Sequence, residues 1–197
     1  MRSLLKRLFG TRRYTPKQVG VMLAEQRADA FLEEHASIDQ QVAALAAAGS
    51  PLATKALRQE VICFCCFAGW FAFMFHDQLE GKHDLLEPLL ESYTARVAER
   101  MYAAGLWSIR ASLRPEGIGP LEGGFHEQFY TRSEAYHTAV SRAGSSDDVI
   151  GRIVQVGAAQ IVPGRPVPDE VRHVLKETLE WFVTSNHNLV DGLRIVR

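Results

Sequence analysis

The chain has 197 residues, 47% hydrophobic and 23% charged, which suits one globular domain with a sizeable core. Its formal net charge of −1 excludes a strong whole-molecule attraction to nucleic acid, so no nucleic-acid partner is expected. All three cysteines lie within residues 63–66, too close together to staple a fold, which predicts a reducing, cytoplasmic setting without a disulfide framework.

Residues 1–15 are predicted to be a basic amphipathic arm that precedes a single helical domain over residues 16–197. Six cations and no acid fall within the first 17 residues, whereas the remaining chain carries 16 basic and 23 acidic side chains. An arm with interspersed leucines suits the surface of an anionic membrane, while a flexible terminus or an arm docked on the acidic body is the alternative. The expected membrane-surface residues are Arg2, Leu5, Lys6, Arg7, Phe9, Arg12 and Arg13.

Helical periodicity continues through most of the chain and predicts an all-α, single-domain bundle of about six helices. Apolar residues at steps of three and four predict a first helix over residues 16–48, with Gly49 as its left-handed C-terminal cap. A second helix is predicted over residues 51–80, with Gly81 ending it. This second helix is expected to be central, because it is apolar on every side between Val61 and Phe75.

The same apolar run could instead be a membrane span. Its 15 residues reach only about 22 Å as a helix, whereas the hydrocarbon core of a bilayer is about 30 Å thick. A buried core helix is therefore the first interpretation. Cys63, Cys65 and Cys66 are expected to pack within the core as small apolar side chains.

Four further helices are predicted over about residues 84–112, 125–143, 147–162 and 169–187. The stretch "VIGRIVQV" within the third of these could alternatively form a strand. Residues 113–124, "LRPEGIGPLEGG", are rich in glycine and proline and predict a connecting loop.

The helix over residues 125–143 contains "FYTRSEAYHTAV", which resembles a Phe-Tyr-x-Arg-x-x-Ala-Tyr pattern in bacterial relatives of the ubiquinol–cytochrome c chaperone family. The resemblance implies an assembly or chaperone role. It makes Phe129, Tyr130, Arg132 and Tyr136 the candidate residues for binding a partner or ligand. The alternative is an amphipathic helix whose aromatic side chains pack in the core.

A second resemblance concerns His35, His76 and Asp77, with Asp147 or Asp148 as a distant acid. This order of residues is similar to that of the HD-domain metal-dependent phosphohydrolases and implies a metal held by these side chains. A simple hairpin of the first two helices, however, would place His35 level with Cys63 and Cys66, about 18 Å along the helix from His76.

The first prediction is therefore a non-catalytic helical binding protein without a cofactor. Its partner would be a protein or a small apolar ligand, and it could act at a membrane surface. The HD-like hydrolase is the alternative.

Overall fold

A computed structural model of the protein describes residues 13–32, 37–107, 110–114, 117–122, 124–143, 146–191 and 193–196. These residues contain seven helices and four short strands, which confirms the predicted all-α, single-domain bundle. The helices are α1 (Pro16–Leu32), α2 (Ser37–Ala47), α3 (Thr54–Met74), α4 (His83–Ala103), α5 (Phe125–Ser141), α6 (Ser146–Ile161) and α7 (Asp169–Asp191). The strands are β1 (Arg13–Tyr14), β2 (Arg110–Arg114), β3 (Gly117–Glu122) and β4 (Arg194–Ile195).

The segment predicted as one helix over residues 16–48 holds both α1 and α2. Residues 33–36 between them, including His35, lie outside the described residues. A capping box starts α1: the amide of Gln18 donates to Thr15 Oγ1 at 3.3 Å, and the amide of Thr15 donates to Gln18 Oε1 at 2.9 Å. Gly49 ends α2 with a φ of 97°, which confirms its predicted left-handed cap.

Helix α3 is the centre of the bundle and contacts α2, α4, α5, α6 and α7. By length and composition it could cross a membrane, with a mean hydropathy of 1.3 over its most apolar window, but 72% of that window is buried within the fold. Cys63, Cys65 and Cys66 are buried there as thiols, as expected.

The prediction that this helix continues to residue 80 is wrong, because α3 ends at Met74. The His76 side chain redirects the backbone: the amide of Gln78 donates to His76 Nδ1 at 3.1 Å instead of to a carbonyl one helical turn earlier. The carbonyl of His76 then accepts from the amides of Leu79 and Glu80, which closes a tight turn.

Helix α4 also ends earlier than predicted, at Ala103 instead of residue 112. Gly105 adopts a φ of 68°, and the amide of Leu106 donates to the carbonyl of Met101 at 3.1 Å, as in a Schellman cap. The predicted loop over residues 113–124 instead contains strand β3, which pairs with β2 in an antiparallel hairpin. The prediction was wrong because main-chain ladder bonds hold this hairpin, and they leave no side-chain periodicity in so short a segment.

The remaining helices follow their predictions, and the alternative of a strand for "VIGRIVQV" is wrong because this stretch lies within α6. Helix α7 continues four residues beyond the predicted residue 187. After α7 the chain forms β4, which pairs in parallel with β1 and so joins the start of the described chain to its end. The arm prediction for residues 1–12 lies outside the described residues, whereas Arg13 and Tyr14 are part of the fold.

Candidate functional site

Helix α5 carries the four candidate binding residues, and the structure divides them between two faces. Phe129 and Tyr136 are fully buried. Tyr130 remains 47% exposed, and the Arg132 side chain is 33% exposed. Of the four, Tyr130 and Arg132 therefore reach the surface, while Phe129 and Tyr136 are part of the core.

The inner face of α5 packs its rings against α3. Tyr136 stacks on Phe67 with ring centroids 4.4 Å apart, and its hydroxyl donates to Gln160 Oε1 at 2.7 Å. Phe129 meets Trp70 edge to face at 5.1 Å. These contacts give the buried tyrosine both an apolar environment and a hydrogen-bond partner, as a stable core requires.

Arg132 is held by a carboxylate of α3. Its Nε donates to Glu60 Oε2 at 2.9 Å and its Nη2 to Glu60 Oε1 at 2.7 Å, a bidentate pair, while Glu60 itself is only 8% exposed. Gln128 Nε2 also donates to Glu60 Oε1, and Gln128 Oε1 accepts from Trp107 Nε1. The Glu60 hydrogen bonds raise the pKa of Arg132. This network fixes α5 against α3 and leaves Arg132 engaged within the protein.

The outer face of α5 carries a ledge of four touching rings, which we call the ring ledge: Trp70, His126, Tyr130 and His137. His126 stacks with Tyr130 at 6.1 Å, Tyr130 meets Trp70 at 6.0 Å, and Trp70 meets His137 at 6.2 Å. Trp70 is half-buried, and its Nε1 donates to Thr94 Oγ1 at 2.9 Å, which fixes the ring. The three α5 side chains are exposed.

The electrostatics of the ring ledge keep its histidines neutral near pH 7. Partial burial lowers the pKa of both His126 and His137. Burial first, and then the nearby Glu91 carboxylate, raises the pKa of Tyr130. The ring ledge is therefore an uncharged aromatic surface with an acid of α4 at its border.

On its opposite side α5 borders an open groove of about 520 Å³, shared with α6. The α5 wall of this groove consists mainly of small side chains, namely Thr131, Ala135, Thr138 and Ala139. The exposed part of α5 thus presents rings along one edge and small residues along the other.

The residues of the alternative metal site lie in different surroundings. His76 is 4% exposed, and its Nε2 lies 3.3 Å from Asp191 Oδ1 at the end of α7, whereas Asp77 is exposed to solvent. Burial, and next the neighbouring His187 ring, lowers the pKa of His76. Within the described residues no group of three or more histidine, cysteine or acidic side chains could hold a metal ion. Because His35 lies outside them, the full set stays a prediction.

The buried cysteines are not activated for chemistry. Burial raises the pKa of Cys63, Cys65 and Cys66, so all three are neutral thiols rather than thiolates. Thiolates are the nucleophilic and metal-binding form of cysteine. Their packing in the α3 core is consistent with a structural role.

Sequence reasoning did not single out Arg27, a buried arginine of α1 that is 5% exposed. Its Nε donates to Asn186 Oδ1 at 3.1 Å, its Nη2 donates to Ser185 Oγ at 2.8 Å, and its guanidinium lies 5.5 Å from the rings of Trp181 and Phe182. Burial lowers its pKa. The one local signal is that Arg27 is a charged residue on an otherwise apolar face of α1. Its hydrogen-bond partners Ser185 and Asn186 are 158 and 159 residues away in the sequence, so no local pattern predicts them.

Comparison with known proteins yields no match: no family model, curated protein or solved structure is similar to this chain. The function is therefore argued from the chain's own residues.

Proposed function

We propose that this protein is a non-catalytic helical binding module that uses the ring ledge on α5 to bind a protein partner. The observation that carries this proposal is the exposure of Tyr130 within a set of touching rings. Tyrosine and tryptophan are over-represented among the residues that dominate binding energy at protein interfaces. Large exposed rings that contact one another provide apolar area at little cost in side-chain entropy.

A protein partner is favoured over a small apolar ligand because the ring ledge is an open surface. Small ligands bind in concave sites that bury most of their area. Glu91 beside Tyr130 favours a partner that places a lysine or arginine side chain against the rings, where cation–π attraction and the carboxylate act together.

The other exposed rings have simpler explanations in the fold. Trp181, at 49% exposure, lies over the guanidinium of Arg27, and Phe75, at 46%, packs on Phe71 at the end of α3. Trp181 is therefore a matched control for Tyr130, since both are aromatic, similarly exposed and on the surface of a long helix.

The experiment compares affinity capture by the tagged wild-type chain, Tyr130→Ser and Trp181→Ser from cells that express the protein. We expect a partner that the wild type and Trp181→Ser retain in equal amounts and that Tyr130→Ser loses at least tenfold. Tenfold corresponds to about 1.4 kcal/mol, a modest effect for a central interface aromatic. If Tyr130→Ser and the wild type retain the partner equally, the ring ledge is not part of the binding interface.

A further inference from the structure

The groove between α5 and α6 is bordered by two charged side chains of α5 that the fold leaves unpaired. Glu134 and Arg142 line this groove of about 520 Å³, and both are exposed. Neither side chain forms an ion pair within the described part of the chain. Arg152, the third charged residue at the groove, is already engaged, because its Nε donates to Asp148 Oδ2 at 2.8 Å. The groove therefore retains one unpaired acid and one unpaired base on a single helix.

Between these two charges the surface of α5 carries only small side chains at the groove. Ala135 and Thr138 are exposed, and Ala139 is half-buried. The Thr138 hydroxyl donates to the carbonyl of Glu134 at 2.9 Å, so this polar group is satisfied within α5 itself. The distance between two packed helices depends on the side chains at their contact. This part of α5 can therefore receive another helix at close range without burying an unsatisfied hydroxyl.

The two unpaired charges are placed symmetrically about Thr138, since Glu134 precedes it by four residues and Arg142 follows it by four. Four residues correspond to about 6 Å along a helix and to slightly more than one turn. The charges are therefore displaced from Thr138 by equal distances, and rotated by equal angles, in opposite directions. A two-fold axis through Thr138 and perpendicular to α5 would bring Glu134 of each copy opposite Arg142 of the other. An interface about a two-fold axis requires a surface that is its own complement in this way.

We propose that the groove is the contact surface of a symmetric homodimer, in which the α5 helices of two copies pack antiparallel and each lies in the groove between α5 and α6 of the other. A second copy of this chain is the occupant that the charges favour, because the acid and the base of α5 complement each other when the helix direction is reversed. Two Glu134–Arg142 pairs would flank a central contact of small side chains. The ring ledge lies along the other edge of α5, so this inference does not rest on the proposed function.

The test measures the dissociation constant of the full-chain dimer by sedimentation equilibrium, at concentrations up to about 100 μM. Glu134→Arg and Arg142→Glu each turn two attractive pairs into two repulsive ones. Each should raise the dissociation constant about 30-fold, which corresponds to about 2 kcal/mol. An equimolar mixture of the two variants should recover dimers of wild-type strength, because every new charge then lies opposite a charge of the other sign. Arg165→Glu, at an exposed position on the loop before α7, is the control and should dimerise like the wild type.

Both charge reversals should leave the fold intact, because the two side chains are exposed and unpaired, and circular dichroism checks this. Arg142→Glu places an acid at the C-terminal end of α5, where the helix dipole disfavours it, whereas Glu134→Arg in mid-helix avoids this effect. The proposal is supported if the two variants dimerise weakly alone and strongly when mixed. It is overturned if the wild type stays monomeric, as expected of a groove that binds a different protein. It is also overturned if either variant dimerises like Arg165→Glu, or if mixing restores nothing.

Discussion

On the inner face of α5, Phe129 and Tyr136 are fully buried, and the Tyr136 ring is stacked, edge-packed and hydrogen-bonded at once. On the outer face, Tyr130 keeps 47% of its surface in solvent, and its ring contacts are with Trp70 and His126 of the ring ledge and with the neighbouring Phe129. The two faces carry the same residue type in one helix. The difference teaches that an aromatic-rich motif can combine a structural half with a half that remains available for binding.

The two faces should differ most in how much a tyrosine contributes to stability, and the largest loss of stability is expected for Tyr136→Ala. The change removes a fully buried ring and leaves a cavity beside Phe67, which should lower the free energy of unfolding by about 3–5 kcal/mol. Tyr130→Ala should lower it by less than about 1 kcal/mol, because an exposed side chain loses little burial. Urea unfolding of both variants measures this, and equal losses would show that Tyr130 also belongs to the core.

The Glu60–Arg132 pair sharpens the comparison because its two members differ in exposure. Arg132→Met leaves the buried Glu60 side chain without its cation and should cost about 2–3 kcal/mol of stability. Glu60→Gln keeps an amide oxygen that can accept from Arg132, whose 33% exposure also admits water, and should cost about half as much. Chemical denaturation of the two single variants tests the order, and a larger loss for Glu60→Gln would contradict it.

Two glycines of α6 test how closely the inner side is packed. A methyl group at Gly157 would lie 2.8 Å from the Phe64 ring and 3.3 Å from Tyr136 Oη, so Gly157→Ala should destabilise by about 1–2 kcal/mol. A methyl group at Gly151 would have no other atom within 4 Å. Gly151→Ala should therefore raise the free energy of unfolding by about 0.5–1 kcal/mol, because alanine has the higher helix propensity. Thermal unfolding should therefore shift in opposite directions, and a shift in the same direction would argue against the Phe64–Tyr136 packing.

The smallest effect concerns the pH dependence of stability that comes from the buried His76. Burial lowers the pKa of His76, so below about pH 6.5 the unfolded chain binds a proton that folded His76 does not. Stability should therefore fall as the pH drops from 7 to 5.5. His76→Gln should remove part of this dependence, because the glutamine side chain does not titrate. The measurement is the free energy of unfolding at several pH values. If its slope against pH is the same in His76→Gln as in the wild type, His76 does not contribute to the pH dependence.

Much of the architecture could be predicted because helical periodicity and caps are local. The apolar run of α3, the left-handed Gly49 and the register of Phe125, Phe129 and Tyr136 all depend on neighbouring residues. The end of α3 could not be predicted in this way, because it depends on a hydrogen bond from the amide of Gln78 to the His76 side chain. The β1–β4 pair joins residues 13–14 to 194–195, and no local pattern indicates a contact over that distance.

The sequence predicted which helix carries the candidate site, but it did not predict which face of that helix each candidate residue occupies. Periodicity placed Phe129 and Tyr136 together, but the motif treated them as one binding set with Tyr130 and Arg132. In the structure, Trp70 of α3 contacts both Phe129 and Tyr130, and Glu60 of α3 binds Arg132. Both partners come from another helix, so the sequence of α5 alone could not reveal them.

The central claim, that the outer face of α5 binds a protein, is tested most directly by site-specific photo-crosslinking in cells. A photoreactive phenylalanine analogue replaces Tyr130 in one variant and Trp181 in another, two positions with 47% and 49% exposure. A discrete protein adduct should form from position 130 and be lost when His126 and His137 are changed to alanine, while position 181 forms none. Adducts of equal yield from both positions, or none from position 130, would contradict the assignment.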